Sequence, residues 1–310
     1  MIENAGPGRL RAIFIGPWGL RAGWRLLIFN AVFFIVVGVV MKLALVPLVG
    51  GDPDWTARNF LIIEAFSLAG AAACVLLMAK IERRRFADYG LARRGAFGRL
   101  FWEGGLWGLA TIGAVVGVMA LAGGYSVRGL AVRGAEAAVS AVLWAGAFLI
   151  ASLMEELVFR GYELFTLASG IRFWPAAVVL SAIFGFWLHY AQKPNETLAD
   201  AFSVSLIALF FCLTVRRTGN LWFAVGWHWT FNFGAMFIFG FPNTGNRGGL
   251  PIAGHLLDGV THGSALLTGG PMGAEASLII FPAIAVLFAA FHFRFRAVKY
   301  LVDGRPGRRA

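Results

Sequence analysis

The run Ala138–Ala168, AVSAVLWAGAFLIASLMEELVFRGYELFTLA, decides the fold. It holds enough apolar residues to cross a bilayer's hydrocarbon core, for which a helix needs roughly 20. Yet Glu155, Glu156, Arg160 and Glu163 sit inside it. An ionisable side chain at membrane depth is costly, so a span that keeps several marks a functional site. Outward from this run, similar apolar stretches recur at 26–48, 60–80, 101–123, 173–191, 198–217, 220–241 and 276–296. Together they predict an all-α, polytopic membrane bundle of about eight transmembrane helices.

Composition agrees. Of 310 residues, 59% are hydrophobic and only 14% charged, where a soluble domain has about a quarter charged. Forty glycines suit helices that pack closely in lipid. The net charge of +11 does not point to nucleic acid, because the arginines fall in the short segments between apolar runs. Arg83, Arg84, Arg85, Arg93 and Arg94 fill one such segment, and Arg216 and Arg217 another. Arg294, Arg296, Lys299, Arg305, Arg308 and Arg309 mark the tail. The positive-inside rule then puts both termini in the cytoplasm of a multi-pass cell-membrane protein. Loops with Asp52 and Asp54, or with Glu196 and Asp200, belong outside; Arg128 and Arg133 fit that side least well.

Residues 1–25 form an interfacial lead-in with Arg9, Arg11, Arg21 and Arg25 beside Trp18 and Trp24, not a secretory signal. Residues 26–123 make the N-terminal transmembrane helices, 124–300 the core that carries the chemistry, and 301–310 a basic cytoplasmic tail. The glycine-rich stretch 242–275, with Pro242, Pro251 and Pro271, reads as a long loop able to fold back over the bundle. Cys74 and Cys212 lie in apolar runs and read as packed thiols.

On a helix, Glu156 and Arg160 stand one turn apart and pair, whereas Glu155 points roughly 100° away. One carboxylate is thereby fixed and the other left for chemistry. The fifth run ends Phe184-Gly185-Phe186-Trp187-Leu188-His189, and the seventh contains His228 and Asn232 one turn apart on one face. Two such donors can hold a developing oxyanion. If the fourth and fifth helices turn near Ser169–Arg172, Glu155 lies roughly 20 Å and His189 roughly 25 Å from that turn. His228 lies roughly 18 Å from Arg216 and Arg217 by the same rise. All three can therefore share one level. His255, His262 and His292 read as surface or interface residues, and Glu103 as a headgroup-level carboxylate.

These residues resemble the CAAX protease and bacteriocin-processing (CPBP) family, which includes the type II CAAX prenyl endopeptidases. Its first motif, a Glu-Glu pair followed by three residues and Arg, is matched by Glu155, Glu156 and Arg160. Its second, Phe, three residues and His, is matched at His189, but Gly185 stands at the Phe position with Phe184 and Phe186 one residue off. Its third, His, three residues and Asn, is matched by His228 and Asn232. The stretch Arg217–Trp222 and Gly273-Ala274-Glu275 also resemble the family, and the likeness runs over roughly 80 to 300.

The resemblance implies a polar cavity within the membrane and hydrolysis near the C-terminus of a membrane-associated protein or peptide, prenylated or not. It implies water activation by Glu155 with His189, an oxyanion held by His228 and Asn232, and structural support from Glu156 and Arg160. No cofactor is required on this reading, though Glu155, His189 and His228 could hold zinc. The alternatives are a catalytically silent scaffold, regulator or bacteriocin-immunity protein of the same fold, which the displaced phenylalanine favours, and an ion-coupled transporter. No His-Glu-x-x-His, Gly-x-Gly-Asp or Gly-x-Ser-Gly occurs, which argues against other intramembrane protease chemistries.

Overall fold

The structure, a computed structural model, describes residues 8–16, 19–49, 56–192, 196–242 and 250–300. Trp18, Asp52, Asp54 and the basic tail 301–310 lie outside the described residues.

Six described helices are long and apolar enough to cross a membrane. They are α1 (Ala22–Leu43), α2 (Ala57–Glu82), α3 (Arg99–Leu121), α4 (Gly134–Ile171), α5 (Phe173–Tyr190) and α6 (Leu198–Thr218). Two shorter helices follow. One, α7, is Trp222–Asn232 running on as the π-helical Phe233–Ile238, and the other, α8, is Ile280–Arg294. The expected polytopic all-α bundle is present, with six full-length helices and these two shorter ones among the described residues. The last two are trimmed by local chemistry. Asn220 Oδ1 accepts from Trp222 N and so starts α7 late, and Gly240, at φ +67, follows its end. Two 3₁₀ turns, Gly270–Met272 and Ala274–Ala276, occupy the approach to α8.

The helix ends sort by charge. At one end Arg25 pairs with Glu82, the Arg84 guanidinium lies 4.5 Å over Phe165, and Arg216 donates to Tyr300 O. At the other end, β1 (Tyr125–Leu130) pairs antiparallel with β2 (Leu257–Thr261). The described part of 242–275 is therefore a folded strap, fastened further where Trp144 Nε1 donates to Ala253 O at 3.0 Å. His262 Nε2 lies 2.8 Å from Ser126 Oγ on the same ribbon. Arg128, awkward by charge alone, meets Asp258 at 2.9 Å. That guanidinium holds the Asp258 carboxyl below the usual range.

The core centres on α3, α6, α7 and α8, where Ile112, Phe210, Phe223, Trp227 and Phe291 are buried. Between α3 and α7 the contact is backbone on backbone. A Cβ at Gly104 would collide with Phe223 O, one at Gly108 with Trp227 O, and one at Gly226 with Phe101 O. Small residues permit this approach, and in lipid it supplies the packing that hydrophobicity cannot. Thr230 Oγ1 donates to Gly105 O at 2.6 Å, and Trp229 Nε1 to Ala145 O of α4 at 2.8 Å. Helix α7 is held on both sides.

Candidate active site

Three helices bring the sequence-predicted residues to one place. Glu155 from α4, His189 from α5, and His228 and Asn232 from α7 all line a cavity of about 310 Å³, closed on one side by α6. A larger concavity of about 620 Å³ lies between α3 and α8, but its lining carries no titratable side chain. The chemistry belongs to the smaller one.

Glu156 is fully buried and accepts from Arg160 at 3.3 Å, as the spacing predicts. The same oxygen lies 3.0 Å from His228 Nδ1. Glu155, with its side chain 31% exposed to the cavity, has Oε2 3.9 Å from His228 Nε2. His228 thus sits between the two glutamates, stacked on Phe211 at 5.5 Å. Arg160 is enclosed by rings, with its guanidinium 4.6 Å over Phe184 and 5.2 Å over Phe211. A desolvated cation over an aromatic face gains about 2 kcal/mol.

On the far side His189 Nδ1 lies 3.0 Å from Glu196 Oε1. The sequence reading gave Glu196 and Asp200 to an outside loop; both are buried, and Asp200 stands in the first turn of α6. His189, Glu196 and Asp200 are the one group of metal-ligating type gathered within 4.8 Å among the described residues. Glu155, His189 and His228, proposed from sequence as a zinc set, are not so gathered. Each histidine turns its Nδ1 to a different carboxylate, and that separates them. His189, Glu196 and Asp200 are the described residues placed so that they could hold a metal ion.

The displaced phenylalanine has a geometric answer. Ile183–Tyr190 is π-helical. In an α-helix residues four apart share a face, but a π-helix bonds across five residues. Phe184, five before His189, is thereby brought beside it, with ring centroids 5.1 Å apart. Gly185, at the expected Phe position, faces α6 so closely that a Cβ would collide with Ala201 O. The aromatic is supplied one residue early and the helix widens to fit.

Two further carboxylates line the cavity that the sequence reading did not assign to the site, Glu64 from α2 and Glu275 before α8. Glu64 Oε2 is buried with no hydrogen-bond partner among the described residues. Its signal was available, since Glu64 is an ionisable residue inside an apolar run.

Residues 137–234 match the family model described as type II CAAX prenyl endopeptidase Rce1-like. The site-bearing segment is similar to that family. The match takes in Glu155, Glu156, Arg160, His189, His228 and Asn232 but neither Glu64 nor Glu275. No curated protein and no solved structure matches the chain.

Proposed function

We propose that this multi-pass membrane protein is an intramembrane endopeptidase of the CAAX-processing type, with both termini cytoplasmic. It hydrolyses a peptide bond near the C-terminus of a membrane-associated protein or peptide. The observation that carries this reading is the meeting of Glu155, His189, His228 and Asn232 in one polar cavity among apolar helices. The Rce1-like match over the same segment supports it.

Charge assigns the roles. Glu155, Glu156 and Arg160 together leave one negative charge, which a proton on His228 cancels. With Nδ1–H donated to Glu156, a protonated His228 carries a second N–H at Nε2. Nε2–H and the Asn232 amide are then the donors for the oxyanion. Glu155, open to the cavity, takes a proton from water with His189 beside it. The resulting hydroxide attacks the carbonyl carbon, and the C–N bond breaks as that proton passes to the leaving amine. The products are a new carboxylate and a new amine, and no step is routed through a metal.

The test uses the full chain in detergent with prenylated and unprenylated C-terminal peptides, read by mass spectrometry. Glu155→Gln is expected to cut the cleavage rate by about 10²-fold or more. Equal cleavage by both forms overturns the role of Glu155. A chelator-sensitive rate would move the mechanism to a metal.

A further inference from the structure

We propose that Glu196 is a positioning residue for His189, fixing its tautomer so that Nε2 is the nitrogen that accepts a hydrogen bond from the attacking water at the cavity. This deepens the proteolytic reading and rests on it. The Glu196 side chain is fully excluded from solvent, and its Oε1 lies 3.0 Å from His189 Nδ1. An ionised carboxylate only accepts hydrogen bonds, so Nδ1 must carry the hydrogen. A neutral ring protonated at Nδ1 bears its lone pair on Nε2. The His189 ring lines the cavity that Glu155 also lines.

Glu196 is itself well placed. It directly precedes Thr197, whose side chain caps α6 by accepting from Asp200 N at 3.2 Å. The cap fixes the backbone where Glu196 leaves it. Buried Asp200 brings a second carboxyl into the same group. His228 repeats the arrangement, with its Nδ1 3.0 Å from Glu156 Oε1. A buried carboxylate behind the Nδ1 of each histidine is thus the common device of the cavity.

The experiment labels the full-length protein with ¹⁵N-histidine. With five histidines in the chain, His189→Gln identifies the His189 signals. In the wild type His189 is expected to be protonated at Nδ1 and bare at Nε2. Glu196→Leu is expected to move it towards the Nε2–H tautomer and to lower kcat by about 10²- to 10⁴-fold with little change in KM. Glu196→Gln, of the same shape, serves if the leucine variant fails to fold, and Glu196→Asp should restore part of the rate. Glu155→Gln should abolish cleavage while leaving the His189 signals unmoved. If the wild type cleaves nothing, the proteolytic reading fails, and the tautomer still decides the role of Glu196. Unmoved His189 signals in both Glu196→Leu and Glu196→Gln, a moved tautomer with unchanged kcat, or His189 signals that change with chelator would each overturn the proposal.

Discussion

His228 and His189 face the same cavity, yet they are held by different kinds of structure. His228 stands in the interior of a helix fastened to two neighbours, and its carboxylate, Glu156, is one turn from Arg160 on α4. His189 stands at the last turn of α5, and its carboxylate comes from the capped entry to α6. On the first side the polar group is also part of the packing, with Arg160 closed in by Phe184 and Phe211. On the second, the pair hangs from a helix end. The same donor–acceptor motif therefore carries stability on one side and mainly orientation on the other.

The largest expected effect breaks the His228 side. Glu156→Gln leaves Arg160 buried without its counter-charge and should cost about 3–5 kcal/mol in unfolding. If Glu196→Gln costs as much, the two sides do not differ in kind. Gly185→Ala comes next. Its Cβ would press on α6 and should cost about 1–3 kcal/mol. ¹⁵N signals of His189 should move while those of His228 hold; movement of both would mean that the sides are coupled. Phe184→Leu is the smallest. It removes the ring that touches both Arg160 and His189, for about 1–2 kcal/mol in unfolding. No loss at all would mean that Phe211 alone encloses Arg160.

This contrast also explains what was legible. Glu156 with Arg160, and His228 with Asn232, are four apart on one helix, and such spacing can be read directly. The convergence of Glu155, His189 and His228 followed from rise per residue. Glu196 could not be found that way, because its partner is reached across a turn between helices and not along one. The helix widening at Ile183–Tyr190 was hidden too, so a phenylalanine in a usable place read as misplaced. The ends of α7 and α8 were hidden as well, because they are set by a side-chain cap and glycine-rich turns that hydropathy does not weigh. Glu64 was a lapse of a different sort, since the cost of a buried charge marks it as plainly as Glu155.

On the proteolytic reading, the glycine contacts of α3 with α7 bear on how a substrate gets in. Where two backbones touch with no side chain between them, neither can tilt or slide without collision, and there is no rotamer to yield. The wall bearing His228 and Asn232 is therefore the fixed jaw of the cavity. Any passage wide enough for a peptide must be opened by the helices that face it.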